Sequence, residues 1–163
     1  MGMKLFDDII RTKIGPKNHA EPKFNYINLS ARKPYNLIRE LLEEWFSSYP
    51  ENAKKDLRAR FRSSDDIEHL AAFFELYLYN LLRKLGFQVV VHPEIKGEST
   101  HPEFKVFYNG QPVFYLEAAL AAPSKDELAA RKRENIVYES IDKVNSPDFF
   151  LLVHVKRSSG KNP

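Results

Sequence analysis

The sequence contains no cysteine. Disulfides and thiolate metal sites are therefore excluded, and a reducing compartment fits. It has no uninterrupted apolar run of membrane-spanning length, so no spanning helix and no membrane partner are expected. The opening MGMKLFDDIIRTK lacks the apolar core of a secretory signal, which makes the cytoplasm the expected location. No P-loop, no dinucleotide-binding glycine pattern and no Ser-His-Asp signature is present. Internal repeats and low-complexity segments are absent as well.

What is present suffices for one folded domain. The chain has 163 residues, of which 43% are hydrophobic and 13% aromatic, enough to bury a core and too many for a disordered tail. Net charge is only +3, but it is unevenly spread. Residues 1–63 carry 13 basic and 8 acidic side chains, a balance of +5, and residues 64–163 carry 12 and 14, a balance of −2. The basic excess peaks in KKDLRARFR, where Lys54, Lys55, Arg58 and Arg62 are candidates for contacting phosphate. A solvated helix face is the plainer alternative.

Residues 1–34 are poorly periodic and punctuated by Gly15-Pro16, Pro22 and Pro34, as in a lead-in that wraps the domain or stays mobile. Leu37, Ile38, Leu41, Leu42, Trp45 and Phe46 recur at helical spacing, and Pro50 closes that helix. A short basic helix is expected over 51–61. The strongest helical pattern runs from Asp65 to Leu85. Asp65 and Glu68 resemble a capping pair, Ile67, Leu70, Phe74, Leu78, Leu81 and Leu85 form an apolar stripe, and Gly86 ends it. FQVVVH, 87–92, reads as a strand. His92 and Glu94 are expected as solvated residues of the following turn. Ser124-Lys125-Asp126-Glu127 is a capping box opening a helix to Val144, with Leu128, Ile136, Val137 and Ile141 inward. FFLLVHV, 149–155, is apolar enough for a strand buried on both faces. The order is helix, three strands, helix, strand. The domain boundaries expected are 1–64 for the lead-in and basic helical segment, 65–157 for the core and 158–163 for a polar tail.

The stretch THPEFKVFYNGQPVFYLEAALA, residues 100–121, sets two carboxylates, Glu103 and Glu117, into two strands around Asn109-Gly110. A two-residue loop continued without a bulge would point them to opposite faces. A three-residue loop pairs Phe107 with Gln111, Glu103 with Tyr115 and Glu117 with His101, and makes the two glutamates diagonal neighbours on one face. That register sorts polar from apolar side chains, so it is the one expected. Two such carboxylates can hold one hard cation. In that register Lys105 faces Val113, roughly 13 Å along the strand from the level of Glu117. His101 is then the nearer base, and Lys96, Lys125 and Lys132 cannot be placed.

This pattern resembles the PD-(D/E)XK nuclease superfamily over roughly residues 65–156. The superfamily's helix glutamate is matched by Glu75 in AAFFELYLYNLL, its Pro-Asp by Pro102-Glu103, and the Glu of its Glu-x-Lys by Glu117, with Ala119 at the lysine position. The resemblance implies a restriction-endonuclease-like α/β core. That core has a mixed four-stranded sheet (α-β-β-β-α-β) flanked by helices, here with an extra N-terminal helical segment. It also implies Mg2+ or Mn2+ on Glu103 and Glu117, with Glu75 in the catalytic set, and phosphodiester hydrolysis in DNA or RNA; His101, across from Glu117 in the expected register, is the candidate base in place of the lysine. Some families of this fold move the lysine, and others keep only the scaffold. The alternatives are an inactive module that binds nucleic acid or a protein partner, and a regulatory or assembly domain of a longer protein. A homodimer and further domains stay open.

Overall fold

The computed structural model of the chain describes residues 2–95, 102–121, 123–144 and 152. These fall into two units, one of residues 2–17, 21–95 and 102–121, the other centred on 123–144 and including 18–20. The strand expected at 149–155, the tail and His101 lie outside the described residues.

The first unit is helical at its start and β at its end. Helices α1 (Lys23–Leu29), α2 (Lys33–Ser47), α3 (Glu51–Phe61) and α4 (Asp66–Lys84) precede strands β1 (Gln88–Val91), β2 (Phe104–Tyr108) and β3 (Gln111–Leu116). The three strands form an antiparallel sheet in the order β1-β2-β3. The expected order of elements is therefore present as far as β3. The expected boundary at 64/65 falls inside one packed unit: Leu5, Phe6, Phe24, Leu42, Phe46, Leu57 and Phe61 share a single core with Ala72, Leu76, Leu82, Phe104 and Val106.

The lead-in wraps. Glu43 accepts the backbone N–H groups of Leu5 (3.0 Å) and Phe6 (2.7 Å), which places both side chains in the core. Arg39, buried in α2, donates to the carbonyls of Ile27 (2.6 Å) and Ser30 (2.9 Å) and so ties off the end of α1. The α2 stripe is only partly inward: Leu42 and Phe46 are buried, whereas Leu37, Ile38 and Leu41 are exposed.

Helix α4 begins where expected. Asp65 is its N-cap, accepting the Ile67 N–H at 2.8 Å, and Gly86 follows its end at φ 88°. Its buried face is not the expected one. His69, Ala72, Glu75, Leu76, Tyr79, Asn80 and Leu82 are buried, while Leu81 and Leu85 of the expected stripe are exposed. The helix is apolar on more than one side, so periodicity alone does not select a face. The face that wins has Ala72 for close approach and polar groups with partners. Asn80 donates to the Leu76 carbonyl at 2.9 Å, and His69 Nδ1 meets the Phe61 carbonyl.

The second unit holds α5 (Lys125–Asp142). Its capping box is formed: Ser124 Oγ accepts the Glu127 N–H (3.2 Å) and Glu127 accepts the Ser124 N–H (2.8 Å). The inward face expected of it is not seen among the described residues, since α5 buries none of its side chains and Ile136 is 65% exposed.

Candidate functional site

The hairpin decides where the two glutamates go. Tyr108 pairs with Gln111, so the turn is the two-residue Asn109-Gly110 loop, with φ of 50° and 75°. Two left-handed residues make a turn whose twist matches that of the strands, and asparagine tolerates that conformation better than most residues. The three-residue loop expected from sequence is thus corrected. A bulge follows instead. Phe107 pairs with Pro112 and Val106 with Phe114, leaving Val113 as the extra residue of β3. The bulge restores the parity that the tight turn removed. The last ladder pair is Phe104 with Leu116, and one further step sets Glu103 across from Glu117.

Both glutamates lie at one end of the sheet. Glu103 is half-buried and accepts the Ala118 N–H with its carboxylate, which seats it beside the Glu117–Ala118 peptide. Its carbonyl accepts the His92 N–H at 2.8 Å. Glu117 is exposed. A glutamate that already holds one backbone N–H keeps lone pairs for another partner.

The same register moves Lys105. It pairs with Tyr115, not Val113, and so stands one pleat from the level of Glu103 and Glu117, roughly 7 Å along the strand. Its Nζ lies 5.2 Å from the centre of the Phe107 ring and 5.6 Å from that of Tyr115. The alternation of the strands puts Lys105 on the face opposite the buried Phe104 and Val106.

Glu75 is a different kind of carboxylate. Its side chain is 3% exposed and fully engaged. Tyr49 donates its hydroxyl to Oε1, Arg60 donates to Oε2 at 2.7 Å, and His92 Nε2 lies 3.2 Å from Oε1. Burying a carboxylate costs several kcal/mol unless paired and hydrogen-bonded, and here both conditions are met. Burial, then the charge of Glu75, push the Tyr49 hydroxyl far above the usual phenol range, so it stays a donor. Burial works against the Arg60 charge, but Glu75 and Asp56 outweigh it and hold the guanidinium above its ordinary value.

Tyr49, Arg60 and His92 were not singled out from sequence. Tyr49 reads only as the residue before a proline, and Arg60 as one more member of a basic run. His92 is exposed, as expected, but it also contacts Glu75. Its φ of 46° breaks the alternation of VVVH and lets the ring reach Glu75. Glu94 is exposed, as expected.

The basic segment is largely occupied within the chain. Lys54 is buried and donates to the Ser47 carbonyl (3.0 Å), and Arg58 donates to the Lys4 carbonyl. Arg62 donates to the Leu5 carbonyl (3.0 Å) and to Asp7 (2.8 Å). Lys55 is exposed. No group of three or more histidines or acids poised to hold a metal occurs among the described residues. Of the expected set, then, Glu103 and Glu117 lie at the same end of the sheet. Glu75 reaches that sheet end only through His92.

No family model matches this chain, and no curated protein or solved structure does. Among the described residues no helix is long and apolar enough to cross a membrane.

Proposed function

We propose that this chain is a metal-dependent nuclease-like domain that hydrolyses phosphodiester bonds in nucleic acid, with DNA as the first substrate to test and RNA as the second. The observation that carries this reading is the bulged hairpin, which brings Glu103 and Glu117 to adjoining positions at one sheet end. Two oxygen donors of like charge suit a hard cation, and Glu103 and Glu117 are the residues that would hold Mg2+ or Mn2+. Such an ion supplies charge to polarise a phosphate oxygen and to acidify an attacking water. The basic segment is a weaker support, because three of its four side chains are engaged within the chain.

The test is calorimetric titration with magnesium and manganese beside cleavage assays on DNA and RNA. Wild type should bind the ion and cut only in its presence. Glu117→Gln should abolish cutting and leave the melting temperature unchanged, because an amide keeps the shape of a carboxyl group. Cleavage that survives Glu117→Gln places the site elsewhere.

A second reading is a non-catalytic module on the same scaffold. It is favoured by Ala119 at the lysine position and by a Glu75 with no spare role. On that reading no metal shifts the melting temperature, and Glu117→Gln is neutral or stabilising.

A further inference from the structure

We propose that Lys105 is the cation that grips the substrate's phosphate beside the Glu103–Glu117 pair, a role that rests on the nuclease reading. Three observations converge. First, Lys105 is the one charged side chain in the three strands, whose sequences are QVVV, FKVFY and QPVFYL. A charge is not placed in a strand of aromatic and aliphatic residues by helix or sheet propensity. Second, the bulge sets it across from Tyr115, so it shares a face with the two glutamates and stands one pleat step from them.

Third, the ammonium is half-enclosed and, among the described residues, has no acidic partner. It sits over the Phe107 and Tyr115 rings, and among the described residues no carboxylate lies within ion-pair distance of it. The two rings fix its position without cancelling its charge, since a π-face attracts a cation but carries no net charge. A cation with no counter-ion among the described residues, one step from a pair of acids, suits a ligand that is itself an anion and arrives with its own metal. A phosphodiester has that chemistry. A strongly held lysine of this kind binds as a point charge, and its contribution is paid out in counter-ion release.

The test compares Lys105→Met, Lys105→Gln and Lys105→Arg with wild type, after melting curves confirm that each folds. Binding of a short fluorescein-labelled DNA duplex is followed by anisotropy across a salt series, with calcium as the oxygen-liganded stand-in ion. Losing one charge-assisted contact should weaken binding about tenfold. The slope of log K against log salt should fall by about 0.9. With magnesium, cleavage should drop about 10²-fold, as for loss of one oriented donor at a developing charge. Lys105→Arg should keep most of both.

Unchanged affinity and slope in Lys105→Met and Lys105→Gln, with a wild type that binds and cuts, would overturn the role of Lys105 and leave the nuclease reading standing. Lys105→Arg as impaired as Lys105→Met would overturn it too, since charge would then not be the property that matters. A wild type that neither binds nor cuts any nucleic acid removes the nuclease reading and this role with it.

Discussion

Glu75 and the Glu103–Glu117 pair are acids of the same kind in opposite circumstances. Glu75 lies under the helical half of the molecule with Tyr49, Arg60 and His92 around it. Both of its carboxylate oxygens are engaged by protein groups. Glu103 gives one oxygen to a backbone N–H, and Glu117 is exposed. A carboxylate whose partners are all internal is a structural element whatever its place in a motif. One with capacity left over is available to a ligand. The difference separates what holds this fold from what it offers to solvent.

The contrast is broken most sharply by removing each acid in turn. Glu75→Ala strands the partly buried Arg60 and the buried Tyr49 hydroxyl and opens space against the core. It should cost about 3–5 kcal/mol, the range for deleting one partner of a buried ion pair. Urea denaturation reads this directly, and Glu75→Gln should fall between it and wild type, because an amide oxygen can still accept from Tyr49. Glu117→Ala should stay within about 0.5 kcal/mol, as surface substitutions do. Equal losses at Glu75 and Glu117 would mean that the two acids carry the same structural weight.

Those two circumstances were not equally legible in the sequence. Helix-strand-strand-strand-helix order, the Asp65 cap and the Ser124 capping box could be read because each depends on residues a few positions apart. Asn109-Gly110 announces a turn for the same reason. The bulge at Val113 could not be read, because either register satisfies the alternation of that strand and only packing chooses. The partners of Glu75 come from three elements distant in sequence. The basic run hid its own role: Arg58 and Arg62 reach back more than fifty residues to the carbonyls of Lys4 and Leu5, and nothing local signals such a contact. The buried face of α4 was misjudged because that helix has more apolar residues than one face needs.

A smaller perturbation tests the turn that carries the two exposed-side glutamates. Gly110 sits at φ 75° in the turn that aligns the two glutamates. Gly110→Ala meets no steric neighbour, so its cost is the left-handed backbone alone, about 1–2 kcal/mol. Thermal melts should show that loss. Gly110→Asn should recover much of it, because asparagine visits this region readily. If Gly110→Ala were neutral, the two-residue turn and the glutamate register built on it would be in error.

A pH-dependent effect marks the packed region. His69 lies buried among the Phe24 and Phe61 rings with its Nδ1 at the Phe61 carbonyl. Burial holds its pKa below the ordinary histidine value of 6.5, against the pull of the Phe61 carbonyl and Asp66. The unfolded chain therefore takes up a proton near pH 6.5 that the folded chain refuses. Stability is fully present above that pH and declines as pH falls below it, by at most about 1.4 kcal/mol per pH unit for one proton. Asp7 and Asp66 act in a lower window. Burial raises both, but hydrogen bonds from Asn28 and Arg62 to Asp7, and from Lys23 to Asp66, win and leave them below the usual carboxylate value of 3.8. Their contribution is lost only as pH falls through that lower range. Urea midpoints taken between pH 7 and pH 5 should thus fall for wild type and stay nearly level for His69→Gln. A slope that persists in His69→Gln would assign the acid sensitivity to another group and remove His69 from the account of the packed half.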